Sequence, residues 1–342
     1  MADTDDAGQV QQNTPSPHQH GERKHNHGFV DPGLLKTQRG IWAIKWSFLG
    51  LGLTALFQVI IVYFSGSVAL LADTIHNFSD AATAVPLWIA FRLARVKPSK
   101  RFSYGYGRVE DLAGVAIVLV ILFSGIVAGY ESLQRLAHPQ SIEKLWAVAT
   151  ASVIGFLGNE AVALFRISVG KEIHSAALVA DGYHARVDGL TSLAVLVGVI
   201  GVWFGFPQAD PLVGLLITLV IFGIVIQASK SILTRMLDGV EPELIDEIRH
   251  TAQHAAGVRQ VTEVRARWLG HRLHAEINAA VDSDLSIAEA HAIARETQKE
   301  LLHHLPYLSS ATIHVDTLNE SGERHHTSEA IAGKISASRS ER

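Results

Sequence analysis

The sequence predicts an α-helical membrane protein: six transmembrane helices followed by a small α+β domain of order α-β-β-α-β. Three observations carry this reading. Of 342 residues, 48% are hydrophobic and only 18% charged, a balance outside the usual range for a soluble chain of this length. Six segments approach the roughly 20 apolar residues that cross a bilayer. From about Glu241 onward, short amphipathic elements replace the long apolar ones.

The spans fall near 41–64, 67–91, 112–136, 145–166, 174–204 and 209–230. Most are nearly free of charge, as in "LAGVAIVLVILFSGIVAGY", but the second and fifth carry aspartates and histidines. In the C-terminal part, "PELIDEIRHTAQHA" has the period of an amphipathic helix. "VTEVRARWLG" and "HRLHAEINAAVD" alternate as strands, "SIAEAHAIARETQKELLHHL" is a helix with a Ser N-cap, and "SSATIHVDTL" is a last strand. That order makes the domain ferredoxin-like. The predicted organisation is a disordered, His-containing tail over 1–35, a six-helix membrane domain over 36–235, the ferredoxin-like domain over 239–318, and a disordered tail over 319–342.

Basic residues set the orientation. Arg23, Lys24, Lys36, Arg39 and Lys45 precede the first span; Arg92, Arg95, Lys97, Lys100, Arg101 and Arg108 lie between the second and third; Arg166 and Lys171 lie between the fourth and fifth. The opposite loops hold only Arg135 and Lys144. The positive-inside rule then places both termini and the α+β domain in the cytoplasm. The polar first thirty residues lack the apolar core of a signal peptide. With a net charge of −4 there is no overall basic character of the kind that binds nucleic acid. Cysteine is absent, which excludes disulfides and thiolate metal sites, so any metal must take nitrogen and oxygen ligands; eighteen histidines make that chemistry available.

Two stretches break the apolar pattern in the same way. "DTIHNFSD" (73–80) and "DGYHARVD" (181–188) both read Asp-x-x-His-x-x-x-Asp. Positions i, i+3 and i+7 share a helix face, so Asp73, His76 and Asp80 point one way, as do Asp181, His184 and Asp188. An aspartate at mid-membrane costs about 3 kcal/mol and marks function by default. Both histidines lie roughly 15 Å into a core about 30 Å thick, on helices of opposite direction. Two histidines and two of the aspartates can therefore converge on one tetrahedral N2O2 site, a donor set suited to Zn²⁺ and related divalent ions. The same groups bind protons, so metal and proton compete for one site, a physical basis for antiport.

The stretches "SVALLADTIHNFSD", "FSYGYGRVEDL" and "ALVADGYHARVDGL" resemble the motifs of the cation diffusion facilitators, and the resemblance extends over about 36–318. Members of that family are six-span, usually homodimeric metal/proton antiporters with a cytoplasmic ferredoxin-like domain. By position, the resemblance implies His76, Asp80, His184 and Asp188 as the ligands of the transport site, with Asp73 and Asp181 supporting them or relaying protons. His-x-x-x-Asp on both helices is the pattern of zinc-type members, so Zn²⁺ is the expected substrate, with Cd²⁺, Co²⁺, Fe²⁺ or Mn²⁺ as alternatives, and no resident cofactor. Where some members hold an accessory metal, Phe102 and Tyr106 stand in place of histidines, and no metal is expected there.

The resemblance also pairs Arg108 with Asp238 as a charge interlock. In the C-terminal domain, His314 and Asp316 of "TIHVD" share a strand face and match family metal positions, as does His291. Two further positions are Thr262 and Asn278, and His274 can substitute. Metal held there would clamp two domains of a dimer and act as a sensor. His18, His20, His25 and His27 form a short tract that can capture metal weakly.

Together these features predict a homodimeric, proton-coupled exporter in a bacterial inner (cytoplasmic) membrane, a secondary active transporter rather than an enzyme. An intramembrane metal-dependent hydrolase would need an open ligand position and a general base, and no HExxH motif is present. A non-transporting metal sensor would rely on the C-terminal domain alone.

Overall fold

The computed structural model describes residues 32–65, 84–137, 144–206 and 208–318. Asp73, His76, Asp80, the N-terminal histidines and the C-terminal tail lie outside the described residues. The membrane part comprises α1 (Pro32–Ser65), α2 (Ala84–Leu93), α3 (Arg108–Ala137), α4 (Leu145–Glu172), α5 (Ala176–Trp203) and α6 (Ala209–Met236). Five of these, α1 and α3–α6, are long and apolar enough to cross a membrane, and α2 is the described end of the second predicted span. At 28 residues, α4, α5 and α6 each run about 42 Å, longer than a hydrocarbon core of about 30 Å. Their ends therefore project from the bilayer. Large apolar side chains such as Phe123, Leu219 and Ile226 are exposed on the bundle's outer faces, where lipid covers them.

Two boundaries differ from the sequence reading. Helix α1 begins at Pro32, so residues 32–35, assigned to the tail, are helical; proline is favoured in a first turn, where its missing N–H costs nothing. Helix α4 continues to Glu172, so Arg166 is a buried helix residue and not a loop charge.

Helices α4 and α5 form the most extensive pair, joined by a very short corner. His174 sits there at φ 61. The Ser175 N–H donates to the Gly170 carbonyl at 2.8 Å and the His174 N–H to that of Lys171 at 3.2 Å, a Schellman ending of α4. Ser175 also opens α5, its Oγ accepting from the Leu178 N–H at 3.1 Å. Helix α3 packs along α6. At their far end Arg135 pairs with Asp210 at 3.1 Å; at the other, Arg108 pairs with Asp238.

The C-terminal domain follows the predicted order: α7 (Pro242–His254), β1 (Gln260–Leu269), β2 (Arg272–Val281), α8 (Ile287–His304) and β3 (Leu308–Thr317). The sheet order is β1-β2-β3, with β1 and β2 antiparallel and β2 and β3 parallel. Parallel pairing requires a crossover, which α8 supplies. Ser286 and Glu289 form a reciprocal capping box at the start of α8. One sheet face buries Val264, Trp268, Leu273, Ile277 and Ala311 with Ile248 and Leu301 of the helices. Alternation leaves Arg265, Arg267, His274, Glu276, Asn278, Thr312 and His314 on the other face.

Candidate metal centre

Helix α5 carries the two described residues of the expected transport site. His184 and Asp188 stand one turn apart, His184 Nδ1 lying 3.9 Å from Asp188 Oδ1, with side chains 2% and 11% exposed. At 1.5 Å per residue they lie about 12 and 18 Å from the start of α5, well inside the apolar span. Just beyond them, Thr191 Oγ1 and Ser192 Oγ both donate to the Asp188 carbonyl, at 2.8 and 3.1 Å. Such back-bonding engages the carbonyl already used by the helix ladder, and it braces the turn that carries Asp188.

Helix α4 forms the wall behind this face. A Cβ on Gly182 would lie 2.6 Å from Ile167 Cγ1 and 3.0 Å from the Ile167 nitrogen. Only glycine permits that approach, which places α5 with Asp181 and His184 on either side of the contact. Buried Asn159 of α4 stands opposite Gly189. His76, Asp80 and Asp73, expected from the second span, lie outside the described residues.

Asp181 shares the face of His184 and Asp188, but its carboxylate is committed elsewhere. Arg166 Nη1 lies 3.0 Å from Asp181 Oδ2, and the two side chains are 1% and 0% exposed. A guanidinium keeps its charge even when buried, so Asp181 is the counter-charge that makes Arg166 tolerable. Asp181 is expected either to support the site or to relay protons, and in the structure its carboxylate is paired with Arg166. Arg166 itself was missed by sequence reasoning; the available signal was an arginine on the inner face of an apolar helix. Nearby, Arg186 and Glu160 join α5 to α4 through two hydrogen bonds of 2.7 and 3.2 Å.

The structure brings Arg108 and Asp238 together in an ion pair. Arg108 Nη1 also donates to the carbonyls of Arg235 and Met236 at 3.1 and 3.3 Å, capping the end of α6. Asp238 holds a left-handed conformation, φ 61, in a second Schellman ending. With side chains 37% and 49% exposed, the charge interaction is worth up to about 1 kcal/mol. Its main effect is geometric, fixing the start of α3 to the end of α6.

In the C-terminal domain, His314 Nε2 lies 2.9 Å from Asp316 Oδ1 on β3. His274 Nδ1 lies 2.6 Å from Ser310 Oγ, and His291 is exposed on α8. Among the described residues no three His, Asp or Glu side chains gather as a metal-binding group, so these four do not form one centre within a single chain. Burial, and then the charges of Arg272 and Arg267, push the His274 imidazole below the ordinary value of 6.5. Burial, then Lys36 and Arg235, does the same to His174. Both rings take up a proton less readily in the folded protein than in the unfolded chain, which protonates around 6.5. Stability is therefore expected to be full above that value and to fall as the pH drops below it. Thermal melting between pH 8 and 5.5 checks this, and His274→Gln, which cannot charge, should flatten the acid-side loss.

Residues 44–237 match the family described as "Cation efflux transmembrane domain", and residues 240–318 match "Cation efflux protein, cytoplasmic domain". A "probable cation efflux system protein" of Mycobacterium tuberculosis is 54% identical over 83% of this chain and 86% of its own length. An uncharacterized transporter of Methanocaldococcus jannaschii is 28% identical over 80% of this chain and 96% of its own. A manganese efflux system protein of Bacillus subtilis is 24% identical over 73% of this chain and 86% of its own.

Proposed function

Because this chain belongs to the cation efflux family, we propose that it exports a divalent transition-metal ion, Zn²⁺ by preference, in exchange for protons. The observation that carries this reading is His184 and Asp188 stacked one turn apart on a buried face of α5 at membrane depth. An imidazole nitrogen and a carboxylate oxygen suit a borderline divalent cation, and His76 and Asp80 of the second span are the residues proposed to complete the set. The orientation puts both termini and the C-terminal domain in the cytoplasm, following the loop charges.

The mechanism follows from the chemistry of the ligands. Metal arriving from the cytoplasm displaces protons from the histidines and aspartates, because each ligand must be deprotonated to bind. The helices then rock to open the site outward, and protons taken up there release the ion. Arg166 and Asp181 keep a fixed, neutral pair beside the site throughout. A homodimer is proposed, with His314 and Asp316 of each copy, and His274 and His291, as the groups that would hold metal between C-terminal domains. A 24% identical relative described as a manganese efflux protein makes Mn²⁺ the second reading.

The test is a series of Zn²⁺, Cd²⁺, Co²⁺, Fe²⁺ and Mn²⁺ applied to the full-length protein in proteoliposomes, with proton movement recorded. Zn²⁺ is expected to drive the largest countermovement of protons. A larger response to Mn²⁺ shifts the substrate, and metal uptake without proton movement removes the antiport mechanism.

A further inference from the structure

The turn between β1 and β2, Leu269–His271, is seated in the end of the helix bundle. Gly270 turns at φ 63, and a Cβ on it would lie 2.8 Å from the Gly107 carbonyl oxygen; one on Gly107 would lie 2.6 Å from that of Leu269. Turn and helix thus meet backbone to backbone. The Gly270 N–H donates to Asp111 Oδ2 at 3.4 Å. Arg235 Nη1 donates to the His174 carbonyl at 2.6 Å and to that of Gly270 at 3.5 Å, and its guanidinium lies 4.5 Å over the Trp268 ring.

At the bottom of the seat, His271 is 1% exposed, with Glu110 also at 1% and Thr37 at 0%. His271 Nδ1 lies 2.6 Å from Glu110 Oε2, and His271 Nε2 lies 2.9 Å from Thr37 Oγ1. Nδ1 and Oε2 share one hydrogen, whichever of the two carries it. The threonine hydroxyl can donate or accept, so the Nε2 bond forms whether the ring is neutral or charged. One ring from the C-terminal domain therefore joins Thr37 of α1 to Glu110 of α3. Both helices touch α2, but their main partners differ: α1 packs along α4, and α3 along α6 and α5.

We propose that Glu110, His271 and Thr37 are positioning residues for transport: through them the C-terminal domain holds the near end of α1 at a fixed offset from α3. The inference rests on the export reading for its transport consequence. This link is separate from the half-exposed Arg108–Asp238 pair, which joins α3 to α6 and leaves α1 untouched. With the link cut, α1 moves independently of the domain while the metal ligands stay in place.

The test uses Thr37→Val, which keeps the shape and removes the hydroxyl, and Thr37→Ser, which keeps the hydroxyl, in the full-length protein, because His271→Ala risks misfolding. In proteoliposomes Thr37→Val is expected to lower the maximal rate of zinc transport about three- to tenfold, the value of one buried hydrogen bond. The KM for zinc should stay unchanged, and Thr37→Ser should run at the wild-type rate. Amide exchange in residues 36–43 should quicken by a similar factor in Thr37→Val alone, with α4 and α5 unaffected. Wild-type behaviour of Thr37→Val in both measurements, equal impairment of Thr37→Ser, or a uniform rise in exchange overturns the inference. If the wild-type protein moves none of the five metals, the export reading fails, and the exchange comparison still decides whether the link holds α1.

Discussion

Asp188→Ala is expected to abolish metal-driven proton movement while leaving the fold intact. In the proposed site the carboxylate is one of two ligands from α5, and removal of one donor from four would lower metal affinity on the order of 100-fold or more, given that even outer supporting groups cost 10- to 100-fold. Folding should survive because the bracing at this position goes through the main chain: Thr191 and Ser192 hold the Asp188 carbonyl, which alanine retains. Alanine also suits a helix interior. The check is a paired measurement of flux in proteoliposomes and of the melting temperature in detergent. Asp80→Ala, in the span outside the described residues, should behave alike. Transport retained in both variants would sink the assignment of the site.

The second large effect concerns stability rather than transport. Arg166→Met alone strands Asp181, and Asp181→Leu alone strands Arg166, each within a fully buried environment. Breaking a buried ion pair from one side costs about 3–5 kcal/mol, enough to unfold a marginal protein. Changing both residues together leaves no unpaired charge, and apolar replacements of similar volume recover most of that loss. Melting temperatures of the two single variants and the double variant make the comparison. A stable double variant that still exchanges metal for protons excludes Asp181 as a proton carrier. Loss of exchange in a well-folded double variant would instead restore that role.

The sequence made some of this legible because the relevant physics is local. Asp181, His184 and Asp188 could be placed on one face from the helical period alone. Alternation located β1 to β3, and the Ser286–Glu289 spacing marked the start of α8. What it missed depends on distant partners. Loss of apolarity ended the fourth span at 166, yet Arg166 remains helical and buried because Asp181 on the next helix meets it. The seat of His271 joins residues far apart in the chain. No period or spacing predicts such a contact, and a histidine in a hairpin turn reads as a solvent-facing residue. Likewise the cytoplasmic-site histidines share sequence positions without converging, because strand alternation fixes which face a side chain occupies and not how near its neighbours are.

The corner at His174 and Ser175 has a bearing on how this protein is made. So short a link favours entry of α4 and α5 into the bilayer as a pair, because closing it costs little chain entropy. Within that same hairpin Arg166 meets Asp181 and Arg186 meets Glu160. Arg186 and Glu160 lie nearest the middle of the span, where a single charge costs about 2.5–3.5 kcal/mol, and the cost is smaller for Arg166 and Asp181 near the helix ends. Emerging together as a helical hairpin, the two helices can cancel their charges before either crosses.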